Sequence, residues 1–145
     1  MRRLPLIRTL ITRVHTLRSV AEGSTSTFDN GCGTGILTLA LKDRFSQRPI
    51  LATDASSSTN DILNARVENA GYDIATRVLD ARDLAGLGDN MFTHIFSTFM
   101  VCLAPDPDQI AQEIYRVMKL GGVLGLAIWA DTYFGYFNTP RTRAC

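Results

Sequence analysis

The sequence predicts a single α/β domain with a mostly parallel sheet and helices on both of its faces. Short segments with strand character alternate with helical segments along the chain. Most of the strand segments are continuously apolar, which is typical of strands covered on both faces. The 145 residues, 46% of them hydrophobic, are enough to form one core. Strict alternation with right-handed crossovers predicts the strand order 3-2-1-4-5.

The charge and the cysteine content argue against several classes of protein. The chain has 15 Lys and Arg against 14 Asp and Glu, a net charge of +1, whereas dedicated nucleic-acid-binding domains are usually strongly basic. The sequence holds no apolar run long enough for a membrane-spanning helix. Three widely spaced cysteines favour a reducing, cytoplasmic setting, and no cluster of Cys, His or Asp has the spacing of a metal site.

The first 22 residues differ in character from the rest of the chain. Residues 1–21 carry five arginines and no acid. Apolar residues recur there at three- and four-residue steps and predict an amphipathic helix; they are Ile7, Leu10, Ile11, Val14 and Leu17. Such a segment is typical either of an organelle-targeting peptide, here mitochondrial, or of a leading helix that packs on the domain. We therefore divide the chain into a leading helix at 1–22, a domain at 23–130 and an aromatic tail at 131–145.

The domain is predicted to contain five strands and three helices. The strands cover residues 25–29, 49–54, 74–79, 91–99 and 123–129, and the helices cover residues 36–45, 59–70 and 107–119. The first strand runs into a glycine-rich loop, and the second ends in an acid. In the second helix Ile62, Leu63 and Val67 lie on one side. Gly71 ends that helix, because glycine readily takes the left-handed backbone that follows a last helical turn.

The second half of the domain continues the same alternation. The third strand ends at Asp80, and the fourth is rich in β-branched and aromatic residues. Pro107 suits the first turn of the third helix, because its missing N–H is not needed there. Gly121 and Gly122 are expected to break this helix before an apolar fifth strand.

The loop after the first strand contains three glycines in five residues, Gly31, Gly33 and Gly35. Glycines at alternate positions allow a sharp turn and let a ligand approach the backbone without meeting a Cβ atom. The dinucleotide fingerprint GxGxxG requires a sixth-position glycine, but Ile36 stands there, and no GK[ST] phosphate loop follows. The loop therefore indicates close backbone approach by a ligand rather than a pyrophosphate site.

Acids follow the second and third strands. Asp54 lies 19 residues after Gly35, the position from which a carboxylate accepts hydrogen bonds from a ribose diol in nucleoside-binding folds. Asp80 ends the third strand and could accept from an exocyclic amine such as that of adenine, with Ala81 leaving room for the ring. Asp83 could take that role instead. All these residues are expected at the carboxyl edge of the sheet, where such folds bind ligands.

Five segments occur in a characteristic order, at residues 29–35, 52–54, 79–84, 92–107 and 113–122. They read DNGCGTG, ATD, LDARDL, FTHIFSTFMVCLAPDP and EIYRVMKLGG. Together they resemble the class I S-adenosylmethionine-dependent methyltransferases. The likeness is closest to the small-molecule enzymes of the UbiE/type-11 sort and to those of fungal secondary metabolism, and it covers residues 23–130.

The resemblance implies a three-layer Rossmann-like methyltransferase fold, S-adenosyl-L-methionine as cofactor and a small-molecule substrate. Asp29 and the glycine loop would hold the methionine part, Asp54 the ribose hydroxyls, and Asp80 with Ala81 the adenine. The stretch 97–103 would face the transferring methyl group. The cofactor-binding residues implied are Asp29, Asn30, Gly31, Cys32, Gly33, Gly35, Asp54, Ala55, Asp80, Ala81 and Ser97.

The sequence departs from the family pattern in two places. Hydroxyl residues fill the first strand, and a buried hydroxyl without a partner costs about 1–3 kcal/mol. The family sheet has seven strands, whereas this chain stops shortly after the fifth, so the last two strands are expected to be missing. The fifth strand would then be an open edge through which a homodimer or a partner chain could pair, unless the aromatic tail covers it.

No general base is evident from the sequence. His94 alternates with apolar residues inside a strand, which favours a packed histidine, His15 lies in the basic leading helix, and Cys32 suits a tight turn better than a nucleophile. The first hypothesis is a methyltransferase acting on a small molecule. The second is a catalytically impaired protein that binds the cofactor or pairs with another chain. The third is a reductase with a nicotinamide cofactor, which the GxGxG spacing disfavours.

Overall fold

The computed structural model describes residues 3–129 and contains one five-stranded sheet in the order β3-β2-β1-β4-β5, all parallel. The strands are β1 (Thr27–Asn30), β2 (Ile50–Asp54), β3 (Ala75–Val78), β4 (Phe92–Thr98) and β5 (Met118–Ala127). The helices are α1 (Arg3–Leu17), α2 (Ile36–Arg44), α3 (Ser57–Ala70) and α4 (Pro107–Val117), with a 3-10 turn at Val101–Leu103. The predicted fold class and strand order are confirmed. The predicted tail at 131–145 lies outside the described residues.

Side chains that alternate along the central strands divide the core between the two faces of the sheet. Phe28 of β1 and Ile95 of β4 pack with the apolar face of α4. The next residue of β4, Phe96, points to the opposite face and packs with α1 and α2. Helix α3 covers β2 on that same side, where Leu63 contacts the cluster around Ala52. The helices therefore form layers on both faces, as expected for a parallel sheet.

Helical geometry corrects two of the predicted core residues. Ile7, Ile11 and Val14 of α1 are buried as predicted, but Leu17 is 76% exposed. Each three-residue step turns the face by about 60°, so Leu17 has rotated away from the sheet. Ile62 of α3 is 51% exposed, because it lies about 100° around the helix from its buried neighbour.

The first strand begins at Thr27, two residues later than predicted, and the hydroxyls of Thr25 and Ser26 just before it have partners. The Ser26 hydroxyl donates to the Met91 carbonyl at 2.7 Å, and that of Thr25 donates to the Ser19 carbonyl at 3.4 Å. Of the described hydroxyl residues around the start of this strand, only Thr27 has a buried hydroxyl without a hydrogen bond. Local backbone carbonyls therefore remove most of the cost that the polar composition implied.

The glycine pair at 121–122 lies inside β5 rather than between a helix and a strand, which corrects the prediction. Helix α4 ends at Val117, and β5 begins at Met118. The register jumps from Phe92 opposite Met118 to His94 opposite Val123, so β5 bulges between them. Gly121 has φ +72 within this bulge, a backbone conformation that glycine adopts without strain.

Strand β5 forms one edge of the described sheet. Within residues 3–129 it pairs with β4 alone, and Leu120, Leu124 and Leu126 are 100%, 39% and 43% exposed. An apolar edge with unpaired backbone groups is a template for another strand.

No helix in the described part of the chain is long and apolar enough to cross a membrane.

We expect the 145-residue chain to self-associate through β5. Light scattering over a concentration series should show an apparent mass that rises with concentration. Leu126→Lys should reduce the association, because a charged side chain on an edge strand opposes pairing. Leu6→Lys, at a leucine 59% exposed on α1, is the matched control and should leave it unchanged.

A concentration-independent monomer would contradict this expectation. Deletion of residues 131–145 would then test the alternative that the tail covers the edge of β5. If the shortened chain associates while the full chain does not, the tail is what covers this edge.

Candidate functional site at the carboxyl edge of the sheet

The carboxyl ends of four strands gather the residues that the sequence predicted for a site. The glycine loop follows β1, Asp54 ends β2, Asp80 follows β3, and residues 99–104 follow β4. Parallel strands bring these ends to one edge, and ligands of such folds bind there. The arrangement follows from the strand order, since β1 lies between β2 and β4.

Backbone hydrogen bonds hold the glycine loop to the end of β2. The N–H groups of Gly31 and Cys32 both donate to the Thr53 carbonyl at 2.9 Å. The Gly33 N–H donates to Oδ2 of Asp54, also at 2.9 Å. The loop is thus fixed against its neighbouring strand before any ligand is present.

The three glycines of the loop have positive φ angles and different surroundings. A Cβ atom at Gly35 would lie 2.2 Å from Leu63 of α3, so this glycine permits the packing of two helices. A Cβ atom at Gly31 would lie 2.8 Å from Met100. Gly33 has φ +55 and no atom within 4 Å of such a Cβ. Of the three, Gly33 faces open space, where a ligand can approach the backbone, whereas the predicted contact at Gly35 is occupied by the protein itself.

Two adjoining cavities lie over this edge. The larger, of about 360 Å³, extends over the glycine loop toward Thr98 and Leu103. The smaller, of about 220 Å³, extends toward Ala55 and Asp80. Both are lined by Gly31, Asp54, Met100 and Ala104. Asp54 therefore lies where the two cavities meet.

The Asp54 carboxylate is oriented by two backbone donors. Its Oδ1 accepts from the Ser56 N–H at 3.0 Å, and its Oδ2 accepts from the Gly33 N–H at 2.9 Å. An ionised carboxylate has about four acceptor sites. Two sites therefore remain for hydroxyl donors of a ligand in the cleft.

The smaller cavity is bounded by the predicted adenine-side residues. Ala55, Asp80 and Ala81 all line it. Arg82 donates to both oxygens of the Asp80 carboxylate, at 2.6 to 3.2 Å, and this hydrogen bonding lowers the pKa of Asp80 to about 2. Asp80 is therefore an ionised acceptor at neutral pH, held in place by Arg82. Asp83 is exposed and does not line this cavity.

Three of the predicted residues lie behind the cleft rather than on its surface. Asp29, Asn30 and Ser97 are fully buried. The Thr38 hydroxyl of α2 donates to Oδ2 of Asp29, while Oδ1 has no hydrogen bond within the described residues. Burial, with a smaller effect of the nearby Asp54 charge, raises the pKa of Asp29 to about 7. Asp29 is thus a buried carboxyl with one free oxygen directly beneath the loop.

A row of buried polar side chains crosses the sheet under the loop. Asn30 of β1 is opposite Thr53 of β2, and on the other side the register continues to Ser97 of β4. All three are fully buried, and their side chains have unpartnered polar atoms among residues 3–129. Buried polar groups normally have partners, and such orphans are found where a ligand or water completes the site. Thr53 is not among the residues predicted from the sequence, although its position before Asp54 in an otherwise apolar strand is a readable signal.

The wall opposite the glycine loop comes from the end of β4. Phe99 has φ +61, and its N–H donates to the Ala127 carbonyl at 2.7 Å. Its ring packs at a tilt of 32° against that of Trp129, with the centroids 4.5 Å apart. Met100 and Leu103 line the larger cavity. The predicted stretch 97–103 therefore borders the cleft from Thr98 onward. Nothing in the sequence pattern singled out Met100, because its role depends on contact with Gly31 across the cleft.

His94 and Cys32, considered above as a base and a nucleophile, are both buried. Both ring nitrogens of His94 are hydrogen-bonded, to the Thr93 hydroxyl and to the Arg18 carbonyl, and burial lowers its pKa. Burial also raises the pKa of the Cys32 thiol, which keeps it protonated. Within residues 3–129 no three His, Cys, Asp or Glu side chains are grouped as metal ligands would be.

Comparison with known proteins now identifies the family. Residues 28–126 match the family described as Methyltransferase domain. The chain belongs to this methyltransferase family. The match begins in β1 and ends in β5, so it contains the glycine loop, Asp54 and Asp80.

Relatives of this methyltransferase-family chain are longer than it is. Methyltransferase tpcH of Aspergillus fumigatus is 29% identical in an alignment of 107 positions that covers 70% of this chain and 38% of that protein. The acetylaranotin bis-thiomethyltransferase of Aspergillus terreus is also 29% identical in an alignment of 107 positions, which covers 70% of this chain and 34% of that protein. A SAM-dependent methyltransferase structure from Aquifex aeolicus superposes with a TM-score of 0.75 at 16% identity, over 96% of this chain and 68% of that one. This chain therefore spans well under half the length of these two fungal relatives.

We expect Asp29 to make the stability of the domain depend on pH. Its pKa is raised from 3.8 to about 7 in the folded state, so the folded state binds this proton more tightly than the unfolded state. The free energy of unfolding should therefore fall as the pH rises from about 4 to about 7. Asp29→Asn should flatten this part of the profile, because asparagine does not ionise.

Denaturant unfolding of the two proteins between pH 4 and pH 8 measures the effect. Asp61→Asn, at an exposed acid of α3, is the control and should keep the parent slope. An Asp29→Asn profile parallel to that of the parent would contradict the assignment.

Proposed function

We propose that this chain binds S-adenosyl-L-methionine along the two cavities and supports transfer of its methyl group to a small-molecule acceptor. The observation that carries the proposal is the position of Asp54 at the junction of the cavities, with the open Gly33 on one side and Asp80 on the other. Membership of the methyltransferase family and the names of the relatives support it.

The residues present fit the three parts of this cofactor. Asp54 has two free acceptor sites for the ribose hydroxyls. Asp80 has an ionised carboxylate on the adenine side, next to the small Ala81, and an adenine amine would take one of the acceptor sites that Arg82 holds in the structure. The methionine part would lie over Gly33, where its ammonium group would be attracted to Asp29 and would favour the ionised form of that buried carboxyl. The orphaned oxygen of Asp29 is consistent with such a partner.

When bound, the cofactor supplies a methyl group on a positively charged sulfur, which is a strong electrophile without further activation. The chain's own contribution is then mostly positioning and exclusion of water. Apolar side chains line the larger cavity, Ile7 and Ile36 from the helical side and Leu103 from the β4 side. These walls suit an apolar small molecule and would hold its nucleophilic atom against the methyl group. Among residues 3–129 no histidine lines either cavity, and the Cys32 thiol that lines the larger one is kept protonated by burial.

A second candidate function is cofactor binding without turnover. It is favoured by the described residues of the cleft, because Gly33, Asp54 and Asp80 all fit parts of the cofactor and none of them is assigned to the acceptor. The two candidates differ in turnover and agree in cofactor binding. Transfer of a labelled methyl group to a panel of thiols, phenols, acids and amines separates them, since only the first candidate yields a labelled product.

We expect Asp54→Ala to weaken binding of S-adenosyl-L-methionine by about 1–3 kcal/mol, the usual cost of removing a charged hydrogen-bond partner. Titration calorimetry measures it, with Asp73→Ala at an exposed acid as the control. Unchanged affinity of a folded Asp54→Ala variant would remove Asp54 from the site. Binding of NADPH in place of S-adenosyl-L-methionine by the parent chain would favour the reductase hypothesis.

We expect Gly33→Val to weaken binding more than Asp54→Ala does. The valine side chain would project into the open cleft and would also strain the backbone at φ +55. Gly71→Val offers a matched control, because Gly71 has φ +65 and equally open surroundings but lies at the end of α3. Loss of binding in both variants would indicate general destabilisation rather than a blocked site.

A further inference from the structure

A second groove lies outside the cleft, between α1, α2 and α3. It has a volume of about 680 Å³, compared with about 360 Å³ for the larger cavity of the cleft, and Ile36 lines both spaces. Its apolar lining includes Ile11 from α1 and Leu39 and Ala40 from α2. A volume of this size is within the range of small-molecule sites.

Three arginines, one from each helix, line this groove: Arg8, Arg44 and Arg66. None of them has a carboxylate within ion-pair distance in the described part of the chain. Arg44 donates to the Thr12 hydroxyl at 2.7 Å, and Arg66 donates to the Thr34 carbonyl at 2.6 Å. Both partners are neutral, so the positive charges are not compensated by them.

The negative charge of the groove is small and already engaged. Among the described residues Asp43 is the one acid in its lining, and the Tyr72 hydroxyl donates to that carboxylate. The Arg8 carbonyl accepts from the Thr12 hydroxyl, but the Arg8 guanidinium makes no hydrogen bond or ion pair with any residue between 3 and 129. Three guanidinium groups against one carboxylate leave a net positive charge around an apolar floor.

We propose that this groove binds an amphipathic anion, an apolar chain or ring that carries a carboxylate, sulfate or phosphate group. The apolar body packs on Ile11, Leu39 and Ala40, and the anionic group pairs with Arg8. Guanidinium groups bind such anions through paired N–H donors. The groove shares only Ile36 with the cofactor cleft, so this binding does not depend on the function proposed for the cleft.

Calorimetry with three probes tests the proposal on the 145-residue chain. Octanoate carries both features of the ligand, 1-octanol only the apolar body, and acetate only the anionic group. We expect octanoate to bind at least about tenfold more tightly than either of the others, since a hydrogen bond to a charged group is worth about that much. Arg8→Ala should reduce the affinity for octanoate about tenfold and leave 1-octanol unchanged. Arg44→Ala should also reduce the affinity for octanoate.

Arg13→Ala is the matched control, because Arg13 is an exposed arginine of the same helix that does not line the groove. It should bind octanoate as the parent does. Thermal melts establish that each variant is folded. Equal affinity for octanoate and 1-octanol, equal losses in Arg8→Ala and Arg13→Ala, or absence of octanoate binding would each overturn the proposal. None of these results would bear on S-adenosyl-L-methionine binding in the cleft, which is measured in a separate titration.

Discussion

The attachment of the glycine loop to the end of β2 is the constraint on which the candidate site depends. Three successive backbone N–H groups, from Gly31 to Gly33, donate to the Thr53 carbonyl and the Asp54 carboxylate. This attachment requires positive φ angles, which cost a residue with a side chain about 1–2 kcal/mol each. It also orients Asp54, so one set of hydrogen bonds shapes both the loop and the carboxylate between the cavities.

Polar groups replace apolar ones where the sheet reaches this edge. Phe28 and Ile95 pack in the core, and the polar residues Asn30 and Ser97 follow two positions later on the same face. Asp29 is buried beside them and has a raised pKa. Such groups oppose folding when they lack partners, so the apolar clusters on the two faces must supply the stability. The site is preorganised at the expense of stability, as binding sites commonly are.

Helix α1 borders both of the spaces for which we propose ligands. Its residue Ile7 lines the larger cavity of the cleft, and its residue Ile11, one turn further, lines the arginine-rich groove. The end of the helix is fixed to the sheet through the Arg18 carbonyl, which contacts the buried ring of His94, and through the Arg18 side chain, which donates to the Gly121 carbonyl. A histidine in the middle of the sheet thus has a structural role in placing the helix.

The sequence by itself determined the parallel α/β fold, the strand order and the positions of the glycine loop, Asp54 and Asp80, because periodicity, glycine spacing and strand ends are local features. It did not determine which glycine faces the cleft, since that depends on Leu63 and Met100, which approach from elsewhere in the chain. It also placed Ser97 on the cleft, whereas tertiary packing buries it. The bulge at Gly121 and the groove lined by Arg8 likewise arise only when separate elements pack together. The solvent exposure of a side chain depends on contacts between segments that are distant in the chain, and local sequence patterns do not predict those contacts.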